Sequence, residues 1–396
     1  MSKNSALITV GFFIQFTTMA FGRFAYTLIY PEMMKSLDLS HTAMSMLGTG
    51  IVAGYLLNSH ISGWLSNRIG AHRTVCISIF LTSFSLFILG YSTRFTVLLA
   101  ASFVLGASAS GAYIPLIHIL NSVTGGKAAV FGFVMGGAGA GILMSGYLIP
   151  FLLSLQPIQG YSTSWYTLSL INTIVLVISI VFFRKELRGD GYTATILKRD
   201  GRLIPILIKH RRLQLVLVAS FFVGFSYIIY VTYFGAYTVD ELGFTIRSTG
   251  IMWSLFGINM IYVGIIWGML SDRYNKIDMG LLSLISFFLS ILIVTISRRE
   301  LFFYISTFLF GFSFPGVLTV IISIISDLVP EESMSIIFGF STLAHGGAQA
   351  LSIPLAGLFR DITGTFIVPF TISCVVAGIC ILVFSVLKTM QKHTCA

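Results

Sequence analysis

The sequence predicts an all-α polytopic membrane protein, with twelve transmembrane helices in two pseudo-symmetric bundles of six. Three observations predict this fold class. The chain of 396 residues is 56% hydrophobic and only 10% charged, with a mean hydropathy of +0.93, whereas a soluble surface needs far more charge. Apolar runs of membrane-spanning length recur along the whole chain. Short motifs of the first half also return in the second half.

Each apolar run of about 20 residues is long enough to cross about 30 Å of hydrocarbon as a helix. Helices are expected because a lipid-exposed backbone must satisfy its own hydrogen bonds, and because the strands of a membrane barrel would alternate in polarity. The predicted spans are 6–30, 42–63, 74–91, 96–121, 128–153, 164–183, 213–237, 248–270, 278–297, 301–326, 334–358 and 366–387.

The distribution of Lys and Arg predicts the orientation of these helices. If the N-terminus is cytoplasmic, the inner loops and tails carry seventeen basic residues and the outer loops carry six. Because basic residues concentrate on the cytoplasmic side, we expect a multi-pass protein of the cell membrane with both termini in the cytoplasm. The net charge of +10 then reflects membrane topology, and we expect no nucleic-acid partner.

The central segment 184–212 is the only long polar stretch, with nine Lys and Arg against three acids. It predicts a basic cytoplasmic linker between a bundle of residues 1–183 and a bundle of residues 213–396. The linker either lies against anionic lipid headgroups or is simply solvated. Motifs that recur at nearly constant spacing predict that the halves are duplicated: Gly106 and Gly111 with Gly311 and Gly316, and Phe131-Gly132-Phe133 with Phe338-Gly339-Phe340.

A further repeat joins helix 2 to helix 3 and helix 8 to helix 9. The stretch Gly63-Trp64-Leu65-Ser66-Asn67-Arg68 returns as Gly268-Met269-Leu270-Ser271-Asp272-Arg273. This duplicated loop resembles the signature of the major facilitator superfamily (MFS) of secondary transporters. The resemblance implies two halves related by an axis along the membrane normal, with a substrate site between them at mid-depth.

The resemblance also implies that both loops help to hold an inner gate shut. The predicted gating residues are Gly63, Asn67 and Arg68 in the first copy and Gly268, Asp272 and Arg273 in the second. Asp272 and Arg273 keep the paired charges, whereas Asn67 replaces the acid with an uncharged amide. We therefore expect unequal gating contacts in the two halves. The alternative is that these residues only form tight loops.

Arg23 is the only Lys or Arg inside a predicted span. A charged side chain is costly there and usually faces the bundle interior or a wet cavity. Arg23 and Tyr26, which is three residues further along the same face, are therefore candidate substrate contacts. The alternative is that the Arg23 side chain snorkels, because it lies only about 10 Å from the outer helix end near Tyr30.

Tyrosines at helical spacing form a stripe on one face of helix 7, from Tyr227 to Tyr237. A flat apolar ring with a hydroxyl group suits a small amphiphilic organic ligand. We therefore take Tyr227 and Tyr230 as candidate substrate contacts, with Asn259 in helix 8 and Gln349 in helix 11 as further polar candidates. The alternative for the stripe is an aromatic belt at the membrane interface.

All Asp and Glu residues fall in loops or at predicted helix ends, so no buried carboxylate is available as a proton site. His118 in helix 4 and His345 in helix 11 are possible proton sites, because histidine titrates near neutral pH. The alternative is that both only pack and form hydrogen bonds. The four cysteines show no paired or metal-ligand spacing and are expected to be free thiols.

These features favour a secondary active transporter that moves a small solute by alternating access. Arg23 without an internal counter-charge favours an anionic or zwitterionic organic solute. The alternative is multidrug efflux, because the 35 phenylalanines and 14 methionines could form an adaptable apolar pocket. A membrane sensor is a third hypothesis.

No catalytic triad or phosphate-binding loop is found, so we expect no enzyme activity, catalytic residue, metal or cofactor. The expected partners are the solute and the lipid bilayer, and the expected state is a monomer.

Overall fold

The structure is a computed structural model that describes residues 3–124, 128–155, 160–184, 210–329 and 331–395. All regular secondary structure in these ranges is helical. The predicted all-α membrane fold is therefore confirmed at the level of secondary structure. The basic linker predicted at 184–212 lies almost entirely outside the described residues.

Twelve long helical segments follow one another along the described chain. Two of them contain a π-helical turn, which is part of the same helix here. The bounds are α1 Lys3–Thr18 with the π-helical turn Ala20–Phe24 and Tyr26–Ser36, α2 His41–Ile69, α3 Ala71–Tyr91, α4 Phe95–Thr124, α5 Ala128–Leu155, α6 Gly160–Phe182, α7 Arg211–Ala236 with the π-helical turn Tyr237–Glu241, α8 Ile246–Arg273, α9 Lys276–Ile296, α10 Glu300–Leu328, α11 Glu331–Thr363 and α12 Ile367–Cys395.

By length and composition alone, ten of these helices in the described ranges could cross a membrane. The other two, α2 and α11, are as long but carry more polar residues. Most helices also run several residues beyond the predicted spans. Hydropathy marks only the apolar part of a helix, whereas backbone hydrogen bonding continues into the polar residues at its ends.

Polar residues and glycine set several helix ends. The Ser40 hydroxyl accepts a hydrogen bond from the Ala43 N–H at 3.1 Å and so caps α2. The Asn275 side chain accepts from Ile277 N–H at 2.9 Å at the start of α9. Between α2 and α3 the chain turns at a single residue, Gly70, whose φ of 92° is a conformation that favours glycine.

The described residues fall into two compact units. The first is drawn from Met1–Thr195 with Thr232–Ile261, and the second from Ile196–Val231 with Tyr262–Ala396. The first unit therefore combines helices of the first sequence half with the end of α7 and the beginning of α8. The division into bundles of residues 1–183 and 213–396 stays a prediction.

Close backbone contacts tie α5 to α8 within the first unit. A Cβ atom added to Gly250 would lie 2.1 Å from the Gly146 carbonyl oxygen, and one added to Gly257 would lie 2.4 Å from Leu143 N. The Ser254 hydroxyl donates to the Leu143 carbonyl at 3.1 Å in the same contact. Small residues at these positions allow the two helix backbones to approach each other closely.

In the second unit, a close backbone contact at a glycine joins α7 to α11 in the same way. A Cβ atom added to Gly224 would lie 2.2 Å from the His345 carbonyl oxygen. Buried hydroxyl groups add hydrogen bonds between its helices, for example from Ser283 to the Ser313 carbonyl at 2.8 Å and from Ser373 to the Ser226 carbonyl at 2.9 Å.

Candidate functional site

Arg23 lies in a rare element of secondary structure, the π-helical turn Ala20–Phe24 inside α1. The Ala25 N–H donates to the Ala20 carbonyl at 2.9 Å, a bond that encloses one residue more than an α-helical turn. π-Helical turns within helices are uncommon and occur often at functional sites. The local structure therefore singles out the same residue that the sequence singled out by its charge.

The Arg23 guanidinium lies over the face of Tyr55 in α2, with Cζ 4.7 Å from the ring centroid. Tyr55 is near the middle of the helix His41–Ile69, and both side chains are half-buried. A snorkelling side chain would instead place its charge beside the end of α1. The position of the guanidinium is that of a group held inside the first unit, and its role in substrate binding stays a prediction.

Tyr26 follows the π-helical turn and makes a different contact. Its hydroxyl donates to the Met44 carbonyl at the beginning of α2, and its ring meets the Tyr30 ring edge-on with centroids 5.5 Å apart. Met44 and Tyr55 are eleven residues apart, which is about 16 Å along a helix. The structure therefore does not bring the ends of the Arg23 and Tyr26 side chains together. The assignment of Tyr26 to a substrate stays a prediction.

The end of α1 packs against the end of α7 within the first unit. Tyr30 meets Tyr233 edge-on with centroids 5.9 Å apart, and its hydroxyl lies 3.0 Å from His41 Nδ1. Lys35 forms an ion pair of 2.7 Å with Asp240, which lies in the π-helical turn of α7. Within the tyrosine stripe of α7, Tyr233 therefore packs α7 against α1.

In the second unit, Tyr227 and Tyr230 belong to a stack of nearly parallel rings, here called the aromatic stack. Successive centroid distances are 5.3, 4.1, 5.9 and 3.9 Å, with interplanar angles between 10° and 13°. The Tyr230 hydroxyl also hydrogen-bonds to Ser306 Oγ at 2.8 Å. In order, the stack comprises His345, Tyr227, Phe314, Phe310 and Tyr230.

The stack is buried, apart from His345, which is half-buried at one end. Ring faces that cover one another are not open to a solute in this arrangement. The roles of Tyr227 and Tyr230 as substrate contacts stay predictions. A ligand could contact only the edges of these rings unless the stacked rings separate.

The remaining polar candidates lie on three helices, α4, α8 and α11. His345 Nδ1 lies 3.0 Å from the Ser220 carbonyl, so this nitrogen carries a proton and the Nδ1–H donates. His118 on α4 is exposed. Asn259 is buried on α8 and donates to the Leu255 carbonyl of its own helix at 3.1 Å, and Gln349 is buried on α11. Their proposed roles are predictions that the geometry leaves open.

The signature motifs are helical, contrary to the loops that we expected. Gly63, Asn67 and Arg68 lie in the last turns of α2, and Gly268, Asp272 and Arg273 lie in the last turns of α8. The physical reason is that polar residues at a membrane interface continue the backbone hydrogen bonding of the helix. Their gating role stays a prediction.

Asp272 is exposed and forms no ion pair with another described residue. Charge pairs near it use other side chains, which the sequence did not indicate. Lys276 pairs with Asp327 at 2.7 Å, and Lys388 pairs with Asp278 at 2.7 Å. These bonds join the beginning of α9 to the ends of α10 and α12.

Sequence reasoning also missed Tyr55, Lys35 and Asp240. No pattern along the chain pairs Arg23 with a ring 32 positions away, because a single sequence does not show how two helices are rotated against each other. Among the described residues there is no group of three or more His, Cys, Asp and Glu side chains that could hold a metal ion.

The regular secondary structure of the described residues is helical and includes ten helices that are long and apolar enough to cross a membrane, which is the architecture of a polytopic membrane protein. The solved structure of a substituted form of the nucleoside transporter NupG has the same fold, with a TM-score of 0.80. The match covers 98% of this chain and 100% of that one, at 11% sequence identity. The MFS fold predicted from the sequence is therefore confirmed.

The chain belongs to the family described as "Uncharacterised MFS-type transporter YbfB", which matches residues 15–385. A hexuronate transporter of Bacillus subtilis (strain 168) is 22% identical over 401 positions, covering 92% of this chain and 90% of its own. The uncharacterised MFS-type transporter YcxA of the same organism is 25% identical over 373 positions, covering 87% and 84%. The chain is thus an MFS-type transporter.

Proposed function

We propose that the protein is a secondary active transporter that moves a small organic anion or zwitterion across the cell membrane by alternating access. It acts as a monomer with both termini in the cytoplasm, an orientation supported by the Lys and Arg asymmetry of its loops. The solute and the surrounding lipid are its partners.

The observation that carries the substrate class is the Arg23 guanidinium held over Tyr55 within the first unit. The charge around it supports the same class. From Leu39 to Lys185 the sequence contains no Asp or Glu, and Glu32, the next acid along α1, is about 13 Å away along the helix. A cation in such surroundings creates a positive field, which a low local dielectric strengthens and which attracts an anionic group.

The likeness to a hexuronate transporter supports an anion for a separate reason. A hexuronate carries a carboxylate, which a guanidinium binds through two parallel hydrogen bonds. At 22% identity this likeness does not carry the substrate of the relative over to this chain. It does provide a probe, D-glucuronate, which is a simple hexuronate.

The test is calorimetric binding of D-glucuronate to the purified protein. Arg23→Ala should lose about 10- to 100-fold in affinity, as expected for a lost charged hydrogen bond. Arg23→Lys should lose less, because it keeps the charge but not the planar fork. Arg94→Ala is the matched control, since Arg94 is exposed between α3 and α4.

Unchanged binding by Arg23→Ala would remove Arg23 from the substrate site. A wild-type protein that binds no D-glucuronate but binds tetraphenylphosphonium, a lipophilic cation, would support efflux of hydrophobic compounds instead.

A further inference from the structure

We propose that Tyr55 and Tyr113 complete a binding site with Arg23 for a hydroxylated carboxylate, such as a sugar acid. Arg23 binds the carboxylate, Tyr55 positions the guanidinium, and the Tyr113 hydroxyl selects a hydroxyl group of the solute. This inference rests on the proposed transport of an organic anion and adds the residues that decide which anion is bound.

Tyr55 restricts the orientation of the guanidinium. With Cζ 4.7 Å from the ring centroid, the cation rests on the negative face of the aromatic ring. An arginine side chain has many rotamers, and fixing them before the ligand arrives lowers the entropic cost of binding. The ring face therefore makes Tyr55 a positioning residue for Arg23.

Tyr55 is itself fixed relative to α4, because α2 and α4 pack backbone to backbone. Gly54 directly precedes Tyr55 in the sequence. A Cβ atom added to Gly54 would lie 1.9 Å from the Phe103 carbonyl oxygen of α4. One turn further, Asn58 Nδ2 donates to the Ala107 carbonyl at 2.6 Å and to Ser110 Oγ at 3.3 Å. A rigid support of this kind holds binding groups in place better than a loop does.

Tyr113 lies on α4, one turn beyond Ser110, and is half-buried. This helix lies against α1 beside Arg23, since a Cβ atom added to Gly22 would lie 3.7 Å from the Ala109 Cβ. Tyr113 is one turn beyond Ala109 on the same face of α4. Within the described part of the chain, no hydrogen bond of Tyr113 is found. A phenol can donate one hydrogen bond and accept another, so this group can satisfy a ligand hydroxyl in either direction.

The chemistry of the three groups defines the ligand class. A carboxylate matches the charge and the fork of Arg23, whereas a phenol discriminates by hydrogen bonding and adds little for an apolar carboxylate. A site built around a hydrogen bond to the ligand rejects an analogue that lacks the hydroxyl, because its own polar group is then left without a partner. Sugar acids carry both features on one small ring.

The experiment measures calorimetric binding of two probes, D-glucuronate and cyclohexanecarboxylate. The probes share a six-membered ring and a carboxylate, and only the first carries hydroxyl groups. The wild type should prefer D-glucuronate. Tyr113→Phe, which removes one oxygen, should reduce that preference about three- to tenfold by weakening D-glucuronate alone. Tyr91→Phe makes the same change at an exposed site and should have no effect.

Tyr55 is tested with the same probes. Tyr55→Leu should weaken both carboxylates equally, because it acts through Arg23, and Tyr55→Phe should restore binding because it keeps the ring face. A variant that merely unfolds would not be rescued by the ring alone. If Tyr55→Leu binds both probes as the wild type does, the positioning role is wrong.

The outcomes separate this inference from the proposed function. If Arg23→Ala loses both probes while Tyr113→Phe keeps the full preference, the anion site stands and the selection by Tyr113 is wrong. If the wild type binds neither probe, the proposed substrate class fails, and the hydroxylated-carboxylate site fails with it.

Discussion

The Lys35 ammonium lies 2.7 Å from a carboxylate oxygen of Asp240 and joins the last turn of α1 to the π-helical turn of α7. The two side chains differ in burial: Asp240 is 10% exposed and Lys35 is 55% exposed. The carboxylate therefore depends on the pair more than the ammonium does, because only the ammonium keeps most of its contact with water.

This asymmetry predicts unequal effects of removing either partner. Lys35→Ala leaves a nearly buried charge unpaired and should lower the free energy of unfolding by about 1–3 kcal/mol. Asp240→Asn removes that charge and should cost less than about 1 kcal/mol. Denaturation of purified protein measures both. As a control, Lys388→Ala breaks a pair whose two side chains are each 42% exposed and should have little effect. Equal losses at Lys35 and Asp240 would contradict the argument.

Two glycines of α8 provide a matched pair for the contact with α5. Gly250→Ala places a Cβ 2.1 Å from the Gly146 carbonyl oxygen and should lower the thermal stability. Gly264→Ala, on the same helix, meets nothing within 4 Å and should raise stability by up to about 1 kcal/mol through helix propensity. Melting curves of the two variants should therefore shift in opposite directions. A shift of both in the same direction would argue against a close contact at Gly250.

His345 is the better placed of the two possible proton sites, since it is half-buried against Tyr227 whereas His118 is exposed. Around it, α7 contributes the Tyr227 ring and the Ser220 carbonyl, and the apolar ring of Phe314 on α10 stacks on Tyr227. His345→Asn keeps an N–H donor for the Ser220 carbonyl but cannot titrate between pH 5 and 8.

We expect His345→Asn in proteoliposomes to lose solute uptake driven by a pH gradient and to keep solute exchange at equal pH. His118→Asn should keep both activities. Full pH-driven uptake by His345→Asn would exclude this histidine as the proton site.

The unequal signature motifs predict unequal effects on transport. Asp272 carries a charge at the end of α8, whereas Asn67 has only an amide at the corresponding place in α2. Asp272→Asn should therefore lower the transport rate more than Asn67→Ala does, at equal expression. The measurement is the initial rate of uptake in proteoliposomes. Similar rates for the two variants would count against a charged gate in the second copy.

The predicted orientation can be tested by cysteine labelling of intact cells. Cysteines introduced at Lys35 and Arg298 should react with an impermeant thiol reagent, and one at Arg199 should not. The native Cys76, Cys374 and Cys380 are buried, which keeps their background labelling low. Labelling at position 199 from outside would reverse the topology.

The fold class could be predicted from the sequence because backbone groups in lipid must form hydrogen bonds within the chain. An apolar run of spanning length therefore forms a helix. The sequence also made Arg23 a candidate, because a charge in such a run is costly whatever its orientation, and its role in binding stays a prediction. Helix ends were less predictable. The signature motifs at Asp272 and Asn67 proved helical, since interfacial polar residues are equally compatible with a helix and a loop.

Contacts between helices could not be derived in the same way. Tyr55 under Arg23 and the rings stacked on Tyr227 depend on how each helix is rotated about its axis. Hydropathy specifies this rotation poorly when most faces are apolar. The assignment of Arg23 and Tyr26 to one face of α1 also assumed 3.6 residues per turn, and the π-helical turn Ala20–Phe24 breaks that assumption at Arg23.

The π-helical turn of α1 has a consequence for how this helix tolerates insertions and deletions. One additional residue is accommodated within Ala20–Phe24, so the helix from Tyr26 onward is rotated by about 100° relative to an uninterrupted α-helix. A relative that lacks one residue here would recover a regular helix and turn the counterparts of Tyr26 and Tyr30 toward different neighbours. To match Arg23 to a relative whose helix 1 is regular here, an alignment therefore needs a one-residue gap at this turn.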